Sequence, residues 1–172
     1  MIPQIKRILY ATDLSQNSNF AFRYAINFAQ KHNANIIILH VLEELSPSTR
    51  AVVDSFLSKE QRKKVFEERI THAMNCIKKR LETFYEKELQ DFPASADRVE
   101  SIEVCQGFPV ERILIKADEL DCDVIIMGTH GKGILSHTFL GSTARRLLRR
   151  VRKPVFVIPL PKGELDITVH DV

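Results

Sequence analysis

Residues 36–42 read IIILHVL, an almost continuous run of apolar and mostly β-branched side chains. Such a run is typical of a parallel β-strand that helices cover on both faces, because a strand with one solvated face alternates between apolar and polar side chains. Residues 123–127, DVIIM, have the same character and predict a second fully buried strand. These two strands indicate a parallel sheet in the middle of the fold.

The segments around the two buried strands alternate in type along the chain. Further strands are predicted at 5–11, 99–105 and 153–158. Apolar residues spaced three and four apart predict helices from about residue 18 to 32, from 58 to 84, from 109 to 117 and from 141 to 151. Strands that alternate with helices predict an open α/β sheet of five parallel strands.

Prolines surround the fifth strand and suggest its place in the sheet. Pro154 opens this strand, and Pro159 and Pro161 follow its end. Proline has no amide hydrogen for a ladder bond, so it favours strand ends and sheet edges. We therefore expect the fifth strand at an edge. A single domain is predicted over residues 1–160, followed by a tail, 161–172, of no clear class.

Composition and charge exclude several broad classes of protein. The net charge of +3 is too small to indicate a nucleic-acid partner by itself. No apolar run approaches the roughly 18 residues needed to cross a bilayer, so no membrane insertion is expected. The first strand already carries Lys6 and Arg7, unlike a signal peptide. Cys76, Cys105 and Cys122 are scattered and odd in number, which predicts a reducing compartment, the cytoplasm.

Two strand ends carry the residues that point to a ligand. The first strand runs into Ala11, Thr12 and Asp13, and the fourth ends at Met127 before GTHGKGILSHTFLGST, residues 128–143. In open parallel sheets, ligands bind beyond the carboxyl ends of strands where the strand order reverses. If the two strands are neighbours, Asp13 and the first of these glycines face one crevice.

The glycine-rich segment suggests a cradle for phosphates, since it contains four of the six glycines in the chain. Phosphates need several N–H donors at short range, and glycine removes the Cβ that blocks this approach and permits positive φ. A helix that starts at Gly141, with Ser142 and Thr143, adds free N–H groups. The glycine spacing is neither a P-loop nor a dinucleotide fingerprint. The spacing alone therefore predicts a phosphate cradle and no particular nucleotide.

Several polar side chains near the crevice allow two interpretations each. Asp13 could cap the first helix, or it could accept from a ribose hydroxyl or reach Mg²⁺ through water. His130 could contact the ligand or pack within its loop, and Lys132 could pair with phosphate or stay solvated. His40, inside the second strand, is interpreted as a hydrogen-bonded core or edge histidine.

The combination of these features resembles the universal stress protein family, in its ATP-binding branch. That branch carries Gly-x-x-Gly, nine residues and Gly-Ser/Thr after the fourth strand, and Gly128, Gly131, Gly141 and Ser142 fit it without a gap. Ala11 departs from the proline that the family often has there. The resembling segments also include RILYATDLS at 7–15, LHVLE at 39–43 and KPVFVIP at 153–159.

The resemblance implies a fold, a ligand and an assembly. The implied fold is an open, doubly wound five-stranded parallel sheet in the order 3-2-1-4-5 with helices on both faces, adenine nucleotide alpha hydrolase-like. The implied ligand is ATP, or ADP or AMP, with Mg²⁺ reached by Asp13 directly or through water, and with adenine near the backbone of Val41. A homodimer through the fifth strand is also implied. The implied contact residues are Ala11, Thr12, Asp13, Val41, Met127, Gly128, His130, Gly131, Gly141, Ser142 and Thr143.

Three functions stay open on these grounds. The first is a regulatory or stress-response protein that binds ATP as a homodimer and acts on an unidentified protein partner. The second is a slow ATPase or nucleotidyl transferase, although no residue suits the part of a base. The third is a dimeric interaction module without nucleotide. The basic run at 145–153 is interpreted as a solvated helix face, or else as a surface for an acidic partner, a membrane or nucleic acid; no specific nucleic acid is expected.

Overall fold

The structure of the protein is a computed structural model that describes residues 2–44, 48, 51, 55, 59–90, 97–129 and 140–159. Within these residues it contains five strands and four helices of seven residues or more. The strands are β1 (Arg7–Thr12), β2 (Asn35–Glu43), β3 (Val99–Gly107), β4 (Val124–Gly128) and β5 (Val155–Ile158). The helices are α1 (Gln16–His32), α2 (Lys59–Gln90), α3 (Pro109–Glu119) and α4 (Ser142–Leu148).

The strands form one parallel sheet in the order β3-β2-β1-β4-β5. The fold class and the strand order expected from the sequence are therefore confirmed, as is the position of β5 at an edge. Ala11 of β1 lies between Leu39 of β2 and Met127 of β4. The chain reverses its direction of winding between β1 and β4, so the carboxyl ends of these two strands open a crevice.

Alternate residues of the strands face two separate layers of helices. Ile8 and Tyr10 belong to an apolar cluster on one face of the sheet, with residues of α1 and α2. Leu9 and Ala11 belong to a second cluster on the other face, with residues of α3 and α4. Because successive strand side chains point to opposite faces, this division shows that helices cover both faces.

Helix α1 begins two residues earlier than the sequence pattern predicts. Ser15 is its N-cap, with an extended backbone and a side chain that accepts a hydrogen bond from the amide of Ser18. The helix ends at Asn33, whose left-handed conformation, with φ of 53°, is one that asparagine tolerates better than most residues. The capping serine therefore fixes the start, while the apolar stripe shows only where the buried face begins.

Helix α2 is packed on the sheet through the later part of its length. Leu81 is fully buried, and Ile77 and Phe84 pack beside it against the cluster around Tyr10. Ile70, earlier on the same predicted stripe, is half-buried. A helix of 32 residues is about 48 Å long, whereas a strand is much shorter, so the sheet cannot cover the whole helix. Ser58, where the predicted helix starts, lies outside the described residues.

Helix α4 and strand β5 are both shorter than the sequence pattern predicts. The helix ends at Leu148, because the amides of Arg150 and Val151 both donate to the Leu147 carbonyl, each at 2.9 Å, which closes the last turn. The strand starts at Val155, after Pro154. The apolar stripe runs on to Val151, three residues beyond the last residue of the helix.

The amino end of the β1–β4 pair is held by one carboxylate. Asp123 Oδ2 accepts hydrogen bonds from the amides of Lys6, at 2.7 Å, and Arg7, at 2.9 Å. The Asp123 amide donates in turn to the Arg7 carbonyl, at 2.9 Å. These bonds continue the ladder between the two strands beyond their first paired residues, at the end of the sheet opposite the crevice.

The turn between β3 and α3 requires a glycine at one position. Gly107 has φ of +144°, and a Cβ placed on it would lie 2.8 Å from Cγ of Arg112. Both the backbone conformation and the contact exclude larger residues. The Arg112 side chain lies across this glycine. Its Nε is buried and has no hydrogen-bond partner among the described residues.

Candidate functional site

A cleft of about 680 Å³ lies at the carboxyl ends of β1, β2 and β4. This volume is within the range of roughly 300–1,000 Å³ that is typical of small-molecule sites. The cleft is the crevice that the strand order creates. Its described lining consists of Ala11, Thr12, Asp13, Ser18, Leu39, His40, Val41, Leu42, Glu43, Pro109, Ile113, Met127, Gly128, Thr129, Leu140, Gly141, Ser142, Thr143, Ala144 and Arg145.

The turn after β1 presents Asp13 to the cleft. Asp13 Oδ1 accepts hydrogen bonds from the amide and the hydroxyl of Ser15, at 3.1 and 2.6 Å. Ser15 is itself the helix cap, so Asp13 holds the capping residue and does not cap α1 directly. Within the described residues the other carboxylate oxygen, Oδ2, has no hydrogen-bond partner. This oxygen is the one that a ligand or a hydrated ion could reach.

Hydrogen bonds of Thr12 and Tyr10 also stabilise the turn between β1 and α1. The Thr12 hydroxyl accepts from the amide of Leu14, at 3.1 Å, in a turn where Leu14 has φ of 64°. The Tyr10 hydroxyl donates to the carbonyl of Ser18. Burial strongly raises the pKa of Tyr10, because desolvation disfavours the phenolate. The phenol therefore stays protonated and ties β1 to the first turn of α1.

His40 lines the cleft as well as filling the core, which the sequence interpretation missed. It is buried, and its Nδ1 lies 2.8 Å from the Thr12 carbonyl of the neighbouring strand. A carbonyl can only accept, so Nδ1 carries the hydrogen in this contact. The interpretation as a hydrogen-bonded core histidine is confirmed, and the contact also fixes the end of β2 against the end of β1.

Gly128, the last residue of β4, and Gly141, the N-cap of α4, are held near each other through the backbone of Thr129. The Thr129 amide donates to the Ile158 carbonyl at 2.9 Å, and the Gly141 amide donates to the Thr129 carbonyl at 2.7 Å. Gly128 and Gly141 are therefore close in the fold although they are far apart in sequence. Helix α4 starts here, and its first helical bond runs from the Arg145 amide to the Gly141 carbonyl. The amides of Ser142 and Thr143 precede that bond.

Gly141 does not use the positive φ that glycine permits. Its φ is −62° and its ψ is 161°, an extended conformation open to any residue. What distinguishes a glycine at this position is therefore the missing Cβ and not its backbone conformation. In the described part of the chain, Gly107 is the glycine with positive φ.

One side of the cleft is apolar. Leu39, Ile113 and Met127 are buried, and Val41 is half-buried at the mouth of β2. Leu39 and Val41 share a face of β2, so the alternation of a strand could have identified Leu39 from the sequence. Ile113 and Pro109 come from α3, and only the packing of that helix reveals them. A flat aromatic ring suits this wall, because such rings bury mainly apolar surface.

The predicted site residues that the structure describes all line the cleft. They are Ala11, Thr12, Asp13, Val41, Met127, Gly128, Gly141, Ser142 and Thr143. Their part in binding a ligand stays a prediction. His130 and Gly131, which were also predicted, lie outside the described residues, as does Lys132.

The described lining has no ready-made metal centre. Among residues 2–44, 59–90, 97–129 and 140–159, no group of three or more His, Cys, Asp or Glu is arranged to hold a metal ion. Mg²⁺ often takes only one or two carboxylates when phosphates and water supply its other ligands. Asp13, whose Oδ2 has no hydrogen-bond partner among the described residues, could be the single carboxylate of such a site. In the same residues, no helix has the length and apolar character of a membrane span.

A family model for the universal stress proteins matches residues 4–159. The chain belongs to the universal stress protein family. Universal stress protein MJ0577 of Methanocaldococcus jannaschii is 32% identical over 157 residues, which cover 89% of this chain and 94% of that protein. Universal stress protein MJ0531 of the same organism is 30% identical over 159 residues, covering 92% and 85% of the two chains.

Solved structures of universal stress proteins share the fold. The structure of MJ0577 superposes with a TM-score of 0.64 at 28% identity and covers 94% of this chain and 100% of that one. Universal stress protein UspA from Lactobacillus plantarum gives a TM-score of 0.63 at 22% identity, with 91% and 99% covered. The described sheet and helices are therefore shared with these two structures.

Proposed function

We propose that this universal stress protein binds an adenine nucleotide, with ATP as its ligand, in the cleft at the ends of β1 and β4. One observation carries the proposal. The cleft gathers Asp13, at the end of β1, with Gly128 and Gly141, which the Thr129 carbonyl holds together. The family and the spacing of its glycines agree with this placement.

The two sides of the cleft suit the two ends of a nucleotide. The apolar side, with Leu39, Met127 and the backbone of Val41, would hold the adenine ring. Asp13 Oδ2 would accept from a ribose hydroxyl, or from a water on Mg²⁺. Gly128 and the amides at the start of α4 would face the phosphates, together with His130 and Gly131 of the motif. When bound, Mg²⁺ would neutralise phosphate charge.

A relative supports the class of ligand. A solved universal stress protein in complex with cAMP has a TM-score of 0.59 and 19% identity, and covers 92% of this chain. That protein holds an adenine nucleotide on the same fold. ADP, AMP and cyclic nucleotides therefore belong in the same binding assays as ATP.

We propose that the protein is regulatory and that it works as a cytoplasmic homodimer of one domain, residues 1–160. Strand β5 is at the sheet edge, and Phe156 is exposed there while its ring lies 4.4 Å from that of Phe28. An exposed aromatic residue on an unpaired edge suits a symmetric contact. A nucleotide-dependent change would then be passed to a protein partner. We expect hydrolysis to be slow at most.

The test is nucleotide binding by the wild type and a Gly141→Val variant. Valine is free to adopt φ of −62° and ψ of 161°, and its amide can still donate to the Thr129 carbonyl. The variant should therefore fold, and its Cβ and methyl groups should block the approach of phosphate. We expect ATP affinity, measured by calorimetry with Mg²⁺, to fall by more than about tenfold.

The controls separate binding from folding and from turnover. Thermal unfolding of both proteins by circular dichroism checks that the variant is intact. Mass spectrometry of the denatured wild type should reveal any adenine nucleotide that co-purifies. Absence of ATP, ADP, AMP and cAMP binding by the wild type at millimolar concentration would overturn the proposal and favour an interaction module. Turnover that is lost in Asp13→Ala would favour an ATPase.

A further inference from the structure

The charges around the cleft are unevenly distributed between its two ends. Asp13 and Glu43 lie at the carboxyl ends of β1 and β2. Arg145 is on the opposite side, in the second turn of α4, beyond β4. Among the described lining residues, Arg145 is the one arginine or lysine. Because β2 and β4 flank β1, Glu43 and Arg145 come from opposite sides of the cleft, and Asp13 lies at the end of the strand between them.

Two of the basic residues that follow Arg145 in the chain are ion-paired within the described residues, whereas Arg145 is not. Arg150 is paired with Glu111 at 3.6 Å, and Lys153 contacts Asp118 at 3.2 Å. In the described part of the chain, Arg145 has no ion pair and no side-chain hydrogen bond. Arg145 is exposed, and no acceptor among the described residues satisfies the donors of its guanidinium. A partner with several oxygen acceptors and negative charge would satisfy it.

The place of Arg145 along α4 indicates which part of a nucleotide it can meet. The helix begins at the glycine that is tied to the end of β4, and Arg145 follows one turn later. A phosphate beside Gly128 and Gly141 is the one nearest the ribose, if the adenine lies on the apolar side. Arg145 is then beyond that phosphate, where only a longer phosphate chain extends.

We infer that Arg145 makes the cleft selective for linear nucleotides with two or three phosphates over AMP, cAMP and adenosine. The inference rests on the proposed function and names the ligand class within it. Arginine suits this part because its planar guanidinium can bind two phosphate oxygens at once. AMP and cAMP would fill the glycine end of the cleft without meeting the guanidinium.

The test compares adenosine, AMP, cAMP, ADP and ATP by calorimetry at constant ionic strength, without and with Mg²⁺. The variant is Arg145→Gln, and the matched control is Arg146→Gln, which removes the same charge from the next residue of the helix. Arg146 is also exposed but does not line the cleft. Both substitutions are on the surface of α4, and circular dichroism checks that both proteins stay folded.

We expect the wild type to bind ADP and ATP about tenfold more tightly than AMP, the effect of one charge-assisted contact. Arg145→Gln should remove the preference for ADP and ATP and change the affinity for AMP by less than about twofold. Arg146→Gln should retain the preference. Added salt should weaken the preference in the wild type.

Three results would overturn the inference. They are equal loss of affinity for AMP and ATP in Arg145→Gln, equal effects of Arg145→Gln and Arg146→Gln, and cAMP binding as tight as ATP binding in the wild type. Each of these leaves nucleotide binding itself intact. A wild type that binds none of the five ligands would instead overturn the proposed function, and the inference with it.

Discussion

Replacing Asp123 with alanine should weaken the protein at the end of the sheet away from the cleft. Its Oδ2 accepts from the amides of Arg7 and Lys6, at 2.9 and 2.7 Å, so Asp123→Ala leaves both amides without this acceptor. The Arg7 amide is part-buried, whereas the Lys6 amide is exposed and water can replace its bond. The two losses are therefore unequal.

The magnitude follows from that difference in exposure. A hydrogen bond to a charged acceptor contributes about 1.5–3 kcal/mol, and we assign about 1.5 kcal/mol to the Arg7 amide. Solvent replacement leaves about 0.5 kcal/mol for the Lys6 amide. Asp123→Ala should then lower the free energy of unfolding by about 2 kcal/mol. In a chain of this size that corresponds to a fall in Tm of about 4–8 °C.

Urea unfolding followed by far-ultraviolet circular dichroism is the assay, because the chain has no tryptophan. The matched variant is Asp123→Asn, which keeps an acceptor oxygen, loses the charge and should cost about 1 kcal/mol or less. Equal stabilities of the two variants, to within about 0.5 kcal/mol, would refute the assignment of stability to these bonds. The stability of β1–β4 would then come from apolar burial alone.

Two further predictions concern Gly107 and Cys122. Gly107→Ala should lower the free energy of unfolding, measured in urea, by about 1–3 kcal/mol, because φ is +144° and the new Cβ would lie 2.8 Å from Arg112 Cγ. Adding Arg112→Ala removes the close contact but not the backbone strain, so it should restore only part of the lost stability. Full recovery of stability would show that φ contributes nothing. Burial raises the pKa of the Cys122 thiol from 9.0 to about 11, so the unfolded chain releases this proton first as pH rises. The free energy of unfolding of the wild type, minus that of Cys122→Ala, should therefore be constant below pH 9 and fall as pH rises toward 11, by at most about 1.4 kcal/mol per pH unit. If urea unfolding shows the same dependence on pH for both proteins, the prediction is contradicted.

The sequence predicted strands best where both faces of the strand are buried, because nearly every side chain of such a strand must then be apolar. Ile37 and Ile38 point to opposite faces, and both are buried, which is why the run at 36–42 predicts a central strand correctly. The edge strand β5 is less constrained, and its predicted start at Lys153 is two residues early. Lys153 instead binds the Cys122 carbonyl through Nζ, at 2.8 Å, a contact that no periodicity reveals.

The candidate site was predictable in part because strand order determines which loops meet. Asp13 and Gly128 are at the ends of neighbouring strands, so any chain with this topology brings them together. Pro109 and Ile113 could not be predicted to line the cleft, since their position depends on how α3 packs over the sheet. The conformation of Gly141 was likewise hidden, because a glycine in a sequence does not reveal its φ.

The two ends of the β1–β4 pair depend on different residues, and this allows binding and folding to be separated. Asp123 acts at the amino end, whereas Gly141 and the Thr129 carbonyl act at the carboxyl end. Asp123→Ala should therefore lower stability and leave nucleotide affinity unchanged at temperatures where the variant is folded. Gly141→Val should do the reverse. A loss of affinity in folded Asp123→Ala would mean that the cleft depends on the register of the whole strand pair, and Gly141→Val alone would then no longer locate the phosphates.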